Sequence, residues 1–466
     1  MASDDQNERD KEANRLTGRL SRYAKVGTGV GSAAARVAAG RAFSSGGSSD
    51  MGAEARLFRQ ALGTLKGPLM KVAQLLATIP EALPAEFAEE LAQLQNEAPA
   101  MGWPFVRRRM AAELGADWQA KFGSFEREAA AAASLGQVHR ATSLDGRPLA
   151  CKLQYPDMAS AVEADLSQLK VLFALHRQMS RAIDTTEIAG EIGARLREEL
   201  DYEREAAHMR LYRDVLVERP TIRVPQLELD LCTGRLITMS WLDGRKLLEF
   251  KEADEDTRNL LCRHMFDAWW RPFTSHGVIH GDPHLGNYTA WQEDGDVKGL
   301  NLLDFGCIRV FPPSFVRGVV ELYRGLQRED REQIVHAYEI WGFKGLNDEL
   351  IDILNVWARF IYGPLLTDKV MAISDGSSSA AQYGRQQAFT VHKELKDKGP
   401  VRVPKEFVFM DRAAIGLGSV FIHLRARMNF HQLFEDALAS WPLETVGERQ
   451  QEALDAAGVA PQIEAA

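Results

Sequence analysis

The chain has 466 residues, 45% of them hydrophobic and 26% charged, a balance that allows a sizeable core and two or three domain-sized units. A net charge of −9 argues against a general nucleic-acid binder, which carries a basic excess. There is no apolar run of about 18 residues, so no membrane-spanning helix is expected. The cysteines Cys151, Cys232, Cys262 and Cys307 form no C-x-x-C pair, which points to reduced thiols in a cytoplasmic setting.

Residues 1 to about 18 read as disordered, and the acidic, polar Met1–Glu12 fits neither a secretory signal nor a transit peptide. Residues 19–43 place Arg19, Arg22, Lys25, Arg36 and Arg41 among Ala, Gly and Val. Two readings stand: an amphipathic helix on an anionic membrane surface, or a packed terminal helix or flexible arm. Gly27-x-Gly29-x-Gly31 lies in this stretch, but no strand precedes it and no acidic residue follows at the right distance, so it is not read as a nucleotide loop. Ser44–Ala53 is a linker by composition.

From Ala53 to about Leu94 the pattern is helical. Leu69, Val72, Leu75 and Leu76 share a stripe, Pro80 and Pro84 interrupt it, and Ala85–Leu94 resumes it. Another helix is predicted over 103–115, ended by Gly115. Strands are predicted at Gln137–Ala141 and Pro148–Gln154, then helices over about 157–181 and 186–216. Val224–Leu231 and Arg235–Met239 read as strands around a Cys-Thr-Gly turn. Helical pattern dominates over 254–276 and 313–442, and the tail from 446 is expected to fray. No repeats are seen. Strands early and helices late predict a bilobed α+β fold.

The chemistry concentrates at His280-Gly281-Asp282-Pro283-His284-Leu285-Gly286-Asn287 and at Asp304-Phe305-Gly306, which follows the apolar strand Leu300–Leu303. An Asp and an Asn five positions apart, with a second Asp after a strand, suit a nucleotide whose phosphates are held through Mg²⁺. Asp282 would orient or deprotonate an acceptor, and Asn287 and Asp304 would ligate the metal. Lys152 lies in an alternating strand and can serve as a fixed charge on phosphate. A carboxylate to hold it is available in the helix Glu198–Glu205, where Glu205 lies one turn after Asp201 and Glu199 points elsewhere; a merely solvated charged helix is the bland alternative. The Ala-rich loop Ala129–Gln137 stands where a conventional protein kinase has a Gly-rich phosphate-covering loop. A rival reading makes His276, His280, Asp282 and His284 a zinc site, which leaves Asn287, Asp304 and Lys152 without a purpose.

Together these residues resemble the UbiB-like (AarF-type) atypical kinase family of the protein-kinase-like superfamily, over about residues 55–425. Three features carry the resemblance beyond a generic kinase. Lys71-Val72-Ala73-Gln74 looks like the family's Lys-x-Gly-Gln helix, Ala129–Gln137 like its Ala-rich loop, and Glu199-Leu200-Asp201 like its Glu-x-Asp motif. The family's Gly is Ala73 here, a change that gains about 1 kcal/mol of helix propensity.

The resemblance implies a small N-lobe sheet, a mainly helical C-lobe and an N-terminal helical extension. The expected parts are a basic N-terminal segment and linker (1–52), the extension (53–128), the N-lobe (129–242), the C-lobe (243–445) and the frayed tail (446–466). It implies that Lys152 and Glu205 form the phosphate-binding ion pair and that Asp282 is catalytic, with Asn287 and Asp304 as metal ligands. Ala131, Ala132, Ala133, Ser134 and Gln137 would face the nucleotide, and Met239 to Leu242 the adenine. Lys71 and Gln74 would lie over the active site, and Glu199 and Asp201 would engage that extension or a second metal.

The implied activity is Mg²⁺-dependent binding of ATP or ADP with slow hydrolysis or phosphoryl transfer, in support of ubiquinone biosynthesis or quinone/lipid homeostasis. Quinone-biosynthesis proteins or lipid precursors are the implied partners, with peripheral contact at the inner face of a membrane and no nucleic acid. The alternatives are a true protein kinase, a small-molecule kinase of the aminoglycoside or choline type, and a nucleotide-binding scaffold without turnover.

Overall fold

The computed structural model describes residues 101–133, 135–163, 166–167, 185–373 and 404–459. The expected basic segment and linker, the helices over 53–94 with Lys71 and Gln74, Ser134, and most of the helix expected over 157–181 lie outside the described residues. The chain divides into two compact units: Met1–Glu203 with Leu227–Trp241, and Arg204–Gln226 with Leu242–Ala466.

In the first unit, α1 (Trp103–Leu114) starts at a Pro in its first turn and stops at Gly115, whose φ of 94° suits a residue without a Cβ. A short 3₁₀ turn, Trp118–Lys121, leads into β1 (Ser124–Ala133), β2 (Gly136–Thr142) and β3 (Pro148–Gln154). These pair antiparallel, and β5 (Leu236–Ser240) completes a sheet of order β1-β2-β3-β5. Val106 and Met110 of α1 pack with Trp118, Phe122, Leu149, Cys151, Leu153 and Leu236 to form the core. Leu149, Cys151 and Leu153, alternate residues of β3, thus share the face that packs in this core.

Three sequence expectations change in or beside this unit. Ala129–Ala133 is not loop but the end of β1, paired Ala131↔Val138, Ala132↔Gln137 and Ala133↔Gly136. Cross-strand pairing overrides the weak strand propensity of alanine. Gly136 lets β2 and β3 approach closely, because a Cβ there would lie 2.1 Å from the Leu153 carbonyl oxygen. The single helix expected over 186–216 is two, α2 (Thr185–Leu200) and α3 (Tyr202–Val215), broken at Asp201. The Asp201 N–H turns back to the Glu198 carbonyl, and the Leu200 carbonyl accepts from the Gln154 side chain instead of continuing a helix. Asp201 and Glu205 are thus not neighbours on one helical face. The strand expected over Val224–Leu231 is only a Leu227↔Met239 bridge and a 3₁₀ turn, Leu229–Leu231, and the short strand β4 (Ile222–Arg223) precedes it. Pro225 has no N–H to give a ladder.

In the second unit a sheet of order β4-β9-β8-β6 contains β6 (Arg245–Lys246), β8 (Tyr288–Glu293) and β9 (Asp296–Leu302), and β7 (Val278–His280) pairs with β10 (Ile308–Val310). The long helix α4 (Glu255–His276) is capped by Asp254, whose carboxylate accepts from the Thr257 N–H at 2.8 Å, and it ends at Gly277 in a left-handed conformation. Helices α5 (Pro313–Arg328), α6 (Arg331–Ile340), α7 (Asp348–Leu366), α8 (Lys405–His423) and α9 (Phe430–Ala439) follow, as the 313–442 pattern predicts. Residues expected to fray form α10 (Val446–Ala457), which buries Val446, Leu454 and Ala457. Its Gln450 amide donates to the carbonyls of His276 and Phe311, both at 2.8 Å, and so satisfies the end of α4. The fold is α+β, with small, mostly antiparallel sheets and a mainly helical C-terminal part. Among the described residues no helix is long and apolar enough to cross a membrane.

Candidate functional site

Gly277 turns the chain from α4 into β7, which delivers His280, Gly281 and Asp282. The pairing Ile308↔His280 and the Gly281 N–H to Cys307 carbonyl bond (2.9 Å) set this loop against the segment after Asp304. Only glycine fits at 281, because a Cβ would come within 2.6 Å of that carbonyl oxygen. At the other end, the β8–β9 pair (Tyr288↔Leu302) and the Leu303 N–H to Asn287 carbonyl bond (3.0 Å) bring Asn287 beside Leu303, the residue before Asp304. Two ladders therefore converge on the Asp282–Asn287 loop and on the segment that carries Asp304.

The hydrogen bonds at this site are specific. Asn287 Nδ2 donates to the Oδ2 of Asp282 and to its backbone carbonyl, both at 3.1 Å. The Tyr288 hydroxyl donates to the same carbonyl at 3.4 Å. His280 Nε2 donates to the Asp304 carbonyl at 2.6 Å, and its Nδ1 accepts from the Asp282 N–H at 3.3 Å. A carbonyl only accepts and an amide N–H only donates, so His280 carries its proton on Nε2 and neither ring nitrogen is left for a metal. The Gly306 N–H donates to Asp304 Oδ1 at 3.0 Å. Burial, with the Asp282 and Asp304 carboxylates nearby, raises the Tyr288 phenol well above its ordinary range and keeps it protonated.

Helix α3 supplies a further set of contacts. Glu205 Oε1 accepts from the Phe305 N–H at 3.4 Å, His208 Nδ1 donates to the Phe305 carbonyl at 3.3 Å, and the Tyr212 and Phe305 rings meet edge-on with centroids 5.9 Å apart. Residues 205, 208 and 212 are spaced i, i+3, i+7, one face of the helix. The sequence reading named Glu205 alone and missed His208, Tyr212 and Tyr288. The i, i+3, i+7 spacing was the signal available. Gly416 of α8 was also missed; it lies against the loop, where a Cβ would come within 2.6 Å of Pro283 Cγ.

Apart from Leu242, the other predicted residues are in the first unit or outside the described residues. Lys152 is a buried residue of β3, paired with Val138 and Ile237, with its Nζ 5.3 Å from the centre of the Tyr202 ring. Ala131 and Ala132 are exposed on β1 and Ala133 is half-buried. Gln137, predicted to face nucleotide, is buried with its amide committed. Its Oε1 accepts from the Met101 N–H at 2.5 Å, and its Nε2 donates to the Met101 carbonyl at 3.3 Å and to His139 Nε2 at 2.7 Å. Met239 is buried on β5, Glu199 ends α2, and Asp201 is exposed at the helix break. Leu242 is half-buried at the start of the second stretch of the second unit. Ser134, Lys71 and Gln74 lie outside the described residues.

The donor set fits a hard cation. The Asn287 amide spends its N–H groups on Asp282, and its Oδ1 makes no hydrogen bond among the described residues. With Asp304 this gives oxygen ligands of the kind Mg²⁺ takes, one or two from protein and the rest from phosphate and water. Among the described residues no group of three His, Cys, Asp or Glu could hold a metal by itself. The His276, His280, Asp282 and His284 set of the zinc reading is not such a group. His280 is fully committed, and His276 Nδ1 is 2.7 Å from the Ser275 hydroxyl.

The family described as the ABC1 atypical kinase-like domain matches residues 93–338. The Saccharomyces cerevisiae protein named "Atypical kinase COQ8, mitochondrial" is 29% identical over 277 residues, 59% of this chain and 54% of that one, so the match spans about half the yeast protein's length. The Rattus norvegicus protein named "Atypical kinase COQ8B, mitochondrial" is 28% identical over 445 residues, 93% of this chain and 82% of that one. Among solved structures, the complex of Rv3197 with erythromycin from Mycobacterium tuberculosis superposes with a TM-score of 0.58 at 26% identity, covering 84% of this chain and 97% of that one.

Proposed function

Because this chain belongs to the ABC1 atypical kinase-like family, we propose that it binds ATP or ADP with Mg²⁺ and hydrolyses ATP slowly or transfers its terminal phosphoryl group. The observation that carries the reading is the two-point hold of Asn287 on Asp282 beside Asp304. Asn287 Oδ1 and the Asp304 carboxylate would hold the cation. When bound, the cation would neutralise charge developing on the phosphates. Asp282, kept in orientation by Asn287, would align a hydroxyl or water and take its proton. Lys152, assigned by resemblance, would offset phosphate charge, and Glu205 would hold that lysine. Ala131, Ala132 and Ala133 are proposed to cover phosphate through their backbone, and Met239 to Leu242 to meet the base.

The pathway proposed from the resemblance is ubiquinone biosynthesis or quinone/lipid homeostasis, with peripheral membrane contact through the basic segment 19–43. A second reading, transfer to a small-molecule acceptor, is favoured by one observation: a solved structure that this chain resembles is a complex with erythromycin. Phosphoryl transfer from labelled ATP to a panel of macrolides, aminoglycosides and prenyl-lipid precursors separates the two.

The first test is a thermal shift with ATP or ADP, with and without Mg²⁺, beside the Asp304→Asn variant. Nucleotide at about 100 times its dissociation constant stabilises a fold by roughly 2.7 kcal/mol. A Mg²⁺-dependent shift that disappears in the variant supports the proposal. No shift with either nucleotide sinks it.

A further inference from the structure

The peptide group between Phe305 and Gly306 is held at both ends. Its carbonyl oxygen accepts from His208 Nδ1 at 3.3 Å, and its N–H donates to Asp304 Oδ1 at 3.0 Å. A trans peptide is planar, with its C=O and N–H pointing in opposite directions, so fixing one end aims the other. Gly306 has no Cβ, and glycine's wide conformational range would let this peptide turn over at little cost. The preceding peptide is already pinned, with its carbonyl on His280 Nε2 and its N–H on Glu205 Oε1. What holds the carbonyl end of the Phe305–Gly306 peptide is therefore the imidazole of His208, fully buried one turn along α3 from Glu205.

We propose that His208 is a positioning residue: by holding the Phe305 carbonyl it points the Gly306 N–H at Asp304 and sets that carboxylate for a divalent cation carried by nucleotide. The inference rests on the reading of Asp304 as a metal-holding residue. It assigns a role to a side chain that touches neither metal nor substrate. Replacing the imidazole with an isosteric apolar group leaves the carbonyl unanswered and the peptide free to turn. Replacing it with asparagine, whose amide reaches about as far as Nδ1, restores the donor.

The test uses the full chain as wild type, His208→Leu and His208→Asn. Mg²⁺ is titrated at fixed ATP and at fixed ADP, with the nucleotide-induced thermal shift as readout. Loss of a group that orients a metal ligand typically weakens metal affinity 10- to 100-fold, so the Mg²⁺ half-saturation of His208→Leu is expected to rise by about tenfold or more. Nucleotide affinity without Mg²⁺ should stay within about twofold, and His208→Asn should recover the wild-type half-saturation within about threefold, because the hydrogen bond is what is lost and restored. A merely structural role would lower the melting temperature without moving the Mg²⁺ dependence. A wild-type half-saturation in His208→Leu overturns the inference alone. Loss of Mg²⁺ dependence in His208→Asn overturns it even if His208→Leu does not fold. A wild-type protein with no Mg²⁺-dependent shift removes the proposed function, and this inference with it.

Discussion

Asn287 spends both N–H bonds of its amide on a single residue, with Nδ2 3.1 Å from the Oδ2 of Asp282 and 3.1 Å from its carbonyl oxygen. One side chain thereby orients the proposed base and presents its own Oδ1. Asn287→Ala removes a hydrogen bond to a charged group, worth about 1.5–3 kcal/mol, from a half-buried loop. Asn287→Asp sets two carboxylates where amide and carboxylate met. Both variants are expected to lose the Mg²⁺-dependent nucleotide shift while their unliganded melting temperatures stay within a few degrees of wild type. Retention of the shift in Asn287→Ala would remove this residue from the site.

The elements that carry this geometry were legible where the signal was short-range. The 280–287 loop, the strand before Asp304 and the stop of α4 at Gly277 each depend on residues within a few positions of one another. His208 was not legible, because its partner Phe305 lies 97 residues away and its own helix reads as charged and solvated. Gln137 was placed toward the nucleotide only by the resemblance of Ala129–Gln137 to the family's Ala-rich loop. Its buried amide answers Met101, 36 residues back. The break at Asp201 was missed for a similar reason, since the Gln154 side chain that takes the Leu200 carbonyl comes from another strand.

Gln137 yields a prediction that separates two roles. If its amide serves to anchor the start of α1, Gln137→Leu leaves the Met101 N–H and carbonyl without their partner, at about 1–3 kcal/mol for each buried group left unsatisfied. A melting temperature lower by several degrees is expected, with early proteolytic cleavage near residue 101 and nucleotide affinity of the folded protein unchanged. A variant of normal stability with weakened nucleotide binding would return Gln137 to the nucleotide.

Gly416 sets two effects of known sign against each other. An interior helical Gly→Ala change gains about 1 kcal/mol of propensity. Here the new methyl would stand 2.6 Å from Pro283 Cγ, next to Asp282. Overpacking against a buried ring costs about 1–3 kcal/mol, so the clash should win. Gly416→Ala is expected to be neutral to destabilising by up to about 2 kcal/mol, and Gly416→Val more so, with ATP turnover falling further than stability as the Asp282 loop shifts. A more stable Gly416→Ala with full turnover would show that α8 does not constrain the loop.

His276 makes the fold sensitive to acid. It ends α4, where the helix dipole favours a positive ring, yet burial and then the nearby Arg449 guanidinium push it down from 6.5 to about 4. Arg449 already occupies the helix end, its Nε donating to the Ser275 carbonyl at 3.0 Å. A base whose folded value is depressed is neutral in the fold and binds its proton more readily once unfolded. Its contribution is therefore complete above about pH 6.5 and is lost as the pH falls from 6.5 toward 4. Burial lowers His139 and His264 in the same direction, so their losses add on the same side. The ring of His276 is only partly buried, and solvent screening cuts its share to about 1–2 kcal/mol. Melting temperatures measured from pH 7.5 to 4 should fall steeply in wild type and less steeply in His276→Gln, which cannot take up the proton. Parallel curves for the two proteins would mean that His276 titrates alike in the folded and unfolded chain.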